Sequence, residues 1–397
     1  MLSADVSYFA RTNHHGNSRS FGIRQADRLS HIHVIGKTGT GKSTLLKSLV
    51  LQDMVASRGF ALVDPHGDLA DAIIEFARVK GFTNIRYLNA ADPNQPYGYN
   101  PLRKVRADRI PLAVSGLLET LKKLWPDAWG VRMEHVLRNS LYALLERDGS
   151  QLPDLLRLYR DEQFRKAIAA NIQNETVRNF WRHEFENYQP RQRAEAVAPI
   201  QNKIGALLAD PMLYRILVEP KIALSFRAMM DKGEMLVVNV GKGRIGEDSA
   251  LLLGGLIVST IGLAAFSRAE SDSRRQFTLH VDEFQNFTTL MIANMMSELR
   301  KYGVGMVLAN QYLKQMEPEI EHAILGNVGT LISFRVGPND AQVLAREFEP
   351  KFEARDLLYL PNHDLYLKLM IDGTPSQPFS GRSLTETEAL NAAKASL

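Results

Sequence analysis

Apolar positions along the chain fall into two regimes. Short apolar runs at residues 31–35 (HIHVI), 60–63 (FALV), 235–240 (MLVVNV), 277–281 (FTLHV), 305–309 (GMVLA) and 330–335 (TLISFR) predict strands. Residues 43–56 carry apolar side chains at helical spacing, so the N-terminal region reads strand, loop, helix, strand. From about 103 to 211 the pattern is helical throughout, as in residues 133–146 (MEHVLRNSLYALLE), and contains no convincing strand. Strands alternating with helices predict an α/β fold with a mainly parallel sheet covered by helices on both faces. Turn signals near Asn100 (YGYNPL) and the return of strands near Pro220 place the boundaries. The expected organisation is one α/β domain from 1–100 and 220–384, an inserted all-α domain at 101–219, and a loose helix or tail at 385–397.

Length supports this division, since 397 residues is two to three times an ordinary domain of roughly 100–200 residues. Hydrophobic residues at 45% and charged residues at 23% fit a folded globular chain and exclude collagenous, low-complexity or largely disordered classes. The absence of cysteine excludes a disulfide framework, a thiolate zinc site, an iron–sulfur cluster and cysteine nucleophilic catalysis. The longest apolar run, residues 250–266, is shorter than the about 20 residues a membrane span needs and holds Ser259 and Thr260, so it reads as a buried core helix. The first fifteen residues lack a secretory pattern, and a cytoplasmic protein is expected. Net charge is +4, from 48 Lys and Arg against 44 Asp and Glu. Residues 101–210 hold 18 of the former and 14 of the latter, leaving 30 against 30 elsewhere, so the surplus falls on the helical segment. A polyanion-facing surface and a solvated helical face fit that surplus equally.

The chemistry concentrates in one stretch. Gly36-Lys37-Thr38-Gly39-Thr40-Gly41-Lys42-Ser43 matches G-x-x-x-x-G-K-[ST], follows a predicted strand and, with Thr44, opens a predicted helix. Its glycines let backbone N–H groups turn inward around anionic oxygens at a positive helix end. Lys42 is expected to reach the β- and γ-phosphates, and the Ser43 hydroxyl to ligate Mg2+, a hard cation that prefers oxygen donors. A nucleoside triphosphate, ATP, is the expected ligand. The strand 277–281 ends in Asp282-Glu283, placing one carboxylate to hold Mg2+ through water and the next to activate the attacking water. Gln311, just past the strand 305–309, is a candidate γ-phosphate sensor. Asp64 closes the strand 60–63 and joins the magnesium water shell if that strand neighbours the phosphate loop; its DPHGD context suits a simple turn equally.

These stretches, with WGVRMEHVLR, LVVNVGKGRIGE, ELRKYGVGMVLANQ and NVGTLISFRVGPNDA, together resemble the FtsK–HerA superfamily of DNA-pumping ATPases, and within it the type IV coupling proteins of conjugation, the TraD/TraG group. The resemblance implies a RecA-like core interrupted by an all-α domain and a hexameric ring around DNA with ATP between subunits. It implies that Arg300 in RKYG reaches the neighbour's γ-phosphate, with Arg335 in SFRVG as the competing contact in trans. Coupling proteins usually begin with transmembrane helices, whereas this sequence reaches its phosphate loop by residue 36, so a soluble motor, or one recruited to the inner membrane by a separate partner, is expected. Lys242 and Arg244 in GKGRIGE are candidates for a pore or an intersubunit contact. Arg191, Arg193 and Lys203 face DNA, a relaxase partner, or simply solvent. An ATP-driven DNA translocase of conjugation is the leading expectation. A type IV secretion assembly ATPase, a HerA-like motor acting with a nuclease, and an ATP-dependent switch or scaffold are the alternatives.

Overall fold

The computed structural model describes residues 5–13 and 18–395. Eleven strands form one sheet: β1 (Val6–Arg11), β2 (Ser20–Arg24), β3 (Ile32–Ile35), β4 (Gly59–Asp64), β5 (Ile85–Asn89), β6 (Met235–Asn239), β7 (Phe277–Val281), β8 (Val304–Asn310), β9 (Thr330–Ser333), β10 (Asp364–Lys368) and β11 (Phe379–Ser383). Their spatial order is β2-β1-β11-β10-β9-β3-β8-β7-β4-β6-β5. From β9 to β6 every neighbouring pair is parallel. These six strands are buried along their whole lengths, as their unbroken apolar runs require of a sheet covered on both faces.

The other flank differs from the sequence expectation, which carried no strands there. β9 pairs antiparallel with β10, and the antiparallel pattern continues through β11 and β1 to β2. Asp364–Lys368 alternates buried and half-buried residues, the period-2 signature of a strand with one face covered. Its polar residues masked that signature beside the apolar strands.

The chain folds as two compact units. The first takes in Met1–Tyr87, Phe226–Gly241 and Ala264–Leu397, and holds nearly all of the sheet. Helix α1 (Lys42–Val55) follows β3 and is buried on most of its circumference; Leu45, Leu46, Leu49, Val50 and Met54 lie in the core with Ile32, Val34 and Phe60. Helix α2 (Asp68–Lys80) follows β4, carries Asp68 and Asp71 in its first turn and ends at Gly81, a left-handed cap. The second unit, Leu88–Ser225 with Lys242–Leu263, is almost entirely helical. Phe180, Trp181 and Phe185 form its aromatic nucleus, with Tyr159 donating or accepting a 2.7 Å hydrogen bond with Ser140. Of the basic residues read as facing DNA, a partner or solvent, Arg191 is exposed and pairs with Glu195 at 3.1 Å, Arg193 lies 4.7 Å from the Phe185 ring centre, and Lys203 lies 6.0 Å from that of Trp125.

One helical stretch among the described residues, Glu247–Glu270, is long and apolar enough to cross a membrane, and most of it is buried inside the protein. The expected C-terminal tail is a helix, α3 (Glu386–Ala395), packed against α1 and β1. Residues 396–397 of that tail, and 1–4 and 14–15 of the stretch read for a secretory signal, lie outside the described residues.

Candidate nucleotide site

The site forms where β3, β4, β7 and β8 end, at the carboxyl edge where open parallel sheets bind ligands. Residues 36–44 wrap the start of α1. Gly41 has φ 125°, and a side chain there would strike Phe334 at 2.9 Å and His363 at 3.1 Å. A Cβ on Gly36 would lie 2.6 Å from that of Phe334, so the loop packs backbone against ring. Lys37 N–H donates to the Arg335 carbonyl at 2.9 Å, and the buried Thr40 hydroxyl donates to the Lys37 carbonyl at 2.7 Å. The first turn of α1 has neither an acidic residue nor a capping side chain. Its free N–H groups and positive end are left for an external anion. At α2, by contrast, the Asp64 carboxylate takes up one first-turn group, Ala70 N–H, and also His66 N–H in the turn before the helix, both at 2.9 Å.

Thr38, Gly39, Gly41, Lys42, Ser43 and Thr44 line one side of a cleft of about 680 Å³, and Asp64, Asp282, Glu283 and Gln311 also line it. β3 and β4 are not neighbours, since β8 and β7 lie between them. Asp64 reaches the cleft because β4 pairs directly with β7 and sets it beside Asp282, whose N–H donates to Val63 O at 3.1 Å.

Three carboxylates thus converge near one buried ammonium. Burial draws Lys42 below the ordinary lysine range, with Glu283 and Asp282 pulling it back up. Burial, then the charges of Asp64 and Glu283, push the Asp282 carboxyl up to about 7, against the pull of Lys42. An unfolded aspartate loses its proton near 3.9. Asp282 by itself therefore contributes stability that is full below about pH 4 and is lost as pH rises through about 7, whereas the buried His31 and His33, lowered to about 4, slope the other way over the same window. Denaturation midpoints measured across that window without divalent cations are expected to show a stability difference between wild type and Asp282→Asn that falls as pH rises.

Glu283 is held in a left-handed backbone conformation, φ 45°, of order 1–3 kcal/mol unfavourable for a non-glycine residue. Hydrogen bonds fix it there. Gln311 Nε2 donates to Glu283 Oε1 at 2.7 Å, and Gln285 Nε2 donates to Oε2. On its other side, the Gln311 carbonyl oxygen accepts from Thr38 Oγ1 of the phosphate loop at 3.1 Å. The loop, the sensor candidate and the base candidate form one connected chain.

The arginines are not brought to this site alike. Arg300 is exposed and precedes β8, while Gln311 follows it; seven residues at about 3.3 Å each separate them by roughly 23 Å. It lies at the far edge of the sheet beside His31, in a separate cleft. Arg335 lies at the near edge, where its guanidinium donates to Leu360 O at 3.0 Å and Asn362 Oδ1 at 2.8 Å. Lys242 and Arg244, expected in a loop, form a short helix, Lys242–Ile245, opening a segment of the second unit.

Sequence reading missed several lining groups. His363, in the turn before β10, has φ 70° and donates its N–H to Thr40 O at 2.8 Å. Glu386 of α3 enters the cleft and pairs with Lys47 at 2.7 Å. Nothing local marks these two. Gln285 was legible, since it lies in the same DEFQNF stretch as the base.

Residues 276–347 match the family model described as the TraM recognition site of TraD and TraG. That segment holds β7, β8 and β9, and hence Asp282, Glu283, Arg300, Gln311 and Arg335. No curated protein matches the chain in sequence. Among solved structures, VirB4 of Thermoanaerobacter pseudethanolicus is similar at TM-score 0.67 and 15% identity, covering 96% of each chain. The plasmid coupling protein TrwB in complex with ADP and Mg2+ is similar at 0.64 and 15%, covering 96% of this chain and 95% of its own. The unbound bacterial conjugative coupling protein TrwBdeltaN70 matches at 0.64 and 15%, over 95% and 89%. The resemblance to type IV coupling ATPases read from the motifs is borne out, and the fold is the RecA-like P-loop fold of TrwB and VirB4.

Proposed function

We propose that this chain is an ATP-driven DNA translocase of the conjugative coupling-protein type. The observation that carries the hydrolytic part is the hydrogen-bonded chain Thr38–Gln311–Glu283–Gln285 beside an uncapped helix start. A site that only stores nucleotide has no need of a carboxylate held at both oxygens and tied to the phosphate loop. Backbone N–H groups of residues 39–44 and the Lys42 ammonium bind the phosphates, and Glu283 accepts the proton of the attacking water.

Among the described residues no three His, Asp or Glu stand close enough to cage a metal alone. That suits Mg2+, which keeps several waters and shares substrate phosphates. Ser43, exposed at the cleft, and Asp282, in a surplus of negative charge, would hold it, and bound there it neutralises charge on the β- and γ-oxygens. Arg300 lies too far to serve its own nucleotide, which favours a role in trans within a ring, a hexamer by resemblance. Arg335, tied to Leu360 and Asn362, is the weaker candidate. DNA is bound through phosphates without sequence preference, with Lys242 and Arg244 as candidate contacts. The match over residues 276–347 supports a protein partner at the DNA-processing complex, a relaxase or channel component, on the cytoplasmic face of the membrane.

The equally good match to VirB4 favours one second reading, a protein-handling secretion ATPase. Turnover with and without single- or double-stranded DNA, at low and moderate salt, separates the two. Stimulation by DNA that falls with salt and is absent in Lys42→Ala is expected. Turnover indifferent to DNA would transfer the assignment to the secretion ATPase.

A further inference from the structure

Gln311 is the hinge of the hydrolytic network, yet its own position is set by residues that touch no substrate. Asn310, the last residue of β8, is buried, and its side chain turns into the sheet. Its Nδ2 donates to Tyr312 O at 2.9 Å, and its Oδ1 lies 2.6 Å from Nε2 of the buried His33 in β3. Its main-chain carbonyl accepts from Gly36 N–H, the first residue of the phosphate loop, at 3.3 Å. The two strands are adjacent and in parallel register, Leu308 against His33 and Asn310 against Ile35.

The polarity of these bonds follows from donor and acceptor chemistry. A main-chain carbonyl only accepts, so the amide atom facing Tyr312 O is Nδ2 and the one facing His33 is Oδ1. His33 must then carry its proton on Nε2, and its Nδ1 is a buried acceptor without a hydrogen-bond partner. Burial lowers the imidazole to about 4, so it stays neutral and keeps this one tautomer at neutral pH. The segment on either side of Gln311 is thereby pinned: Asn310 to the strand below the phosphate loop, Tyr312 to Asn310. With both neighbours fixed, the Gln311 side chain is aimed at Thr38 and Glu283.

We propose that Asn310, oriented by His33, is a positioning residue for hydrolysis, clamping Gln311 between the phosphate loop and Glu283. This rests on the hydrolytic reading above. Neither residue touches the nucleotide cleft, so the clamp acts on turnover and leaves nucleotide affinity alone. Aspartate at 310 cannot donate to Tyr312 O and sets two acceptors face to face, which releases the clamp at almost constant volume. A displacement of about 1 Å at a catalytic group costs up to roughly 10²-fold in rate.

The test is a double-mutant cycle on the full chain, with turnover number, affinity for a non-hydrolysable ATP analogue and thermal midpoint measured for each protein. Asn310→Asp is expected to lower turnover by about tenfold or more with analogue affinity within about threefold, and to cost little further on the Gln311→Ala background. His33→Leu should reproduce that pattern, and His33→Gln, which still offers an N–H to Oδ1, should restore most of the turnover. Should Asn310→Asp fail to fold, the same cycle run with His33→Leu decides. Additive effects of Asn310 and Gln311, or loss of turnover and affinity in step with thermal stability, would overturn the clamp while leaving the ATPase standing. A wild-type protein with no turnover above Lys42→Ala would overturn the hydrolytic reading and the clamp with it.

Discussion

Glu283→Gln is expected to lower ATP turnover by roughly 10²- to 10⁴-fold, the range of a positioned general base, while nucleotide binding is retained. The glutamine has nearly the volume of glutamate and still accepts from Gln311 Nε2, so the connection to Thr38 persists. What disappears is the group that takes the proton from water, together with the acceptor that faces Gln285 Nε2. Lys42→Ala should differ in kind: it removes the buried cation that faces Asp282 and Glu283, so affinity falls together with rate. Analogue binding measured by calorimetry beside steady-state turnover separates the two variants. Glu283→Gln turning over at the wild-type rate would remove the residue from the mechanism.

The second large effect lies away from the cleft. Asp53→Ala is expected to destabilise the protein by about 3–5 kcal/mol, the usual cost of breaking a fully buried ion pair from one side. Arg28 meets the Asp53 carboxylate with two parallel bonds, 2.5 and 2.7 Å, Arg58 adds one at 3.0 Å, and His280 Nε2 lies at 3.2 Å. Arg28, Asp53 and His280 are almost wholly shielded from water. Burial alone would raise the carboxyl, but the Arg28 guanidinium and His280 outweigh it and hold it well below the carboxylate range. A carboxylate depressed in this way contributes stability above its unfolded value of about 3.9, and that contribution is lost only as pH falls through the lower folded value. The destabilisation should therefore be undiminished at neutral pH, and urea denaturation there measures it. The network joins the last turn of α1 to β7 two residues before Asp282, so the variant should also loosen the cleft.

The most local features were the most legible. The phosphate loop, the apolar strands 60–63 and 277–281 and the pair Asp282-Glu283 are written in runs of five to ten residues, whose spacing alone fixes backbone conformation and burial. The antiparallel flank was harder to read because β10 alternates polar with apolar residues over only five positions.

Sequence by itself determined the class of fold, the phosphate loop and the candidate acid–base residues, because each depends on neighbours close along the chain. Tertiary structure decided which of them meet. Only the strand order, with β8 and β7 inserted between β3 and β4, brings Asp64 to Asp282. Only folding joins Thr38 to Gln311 across 273 residues, or sets Glu386 of the last helix against Lys47. Such contacts depend on which strands pair across long loops, a global balance of burial and chain entropy that no short window of sequence encodes.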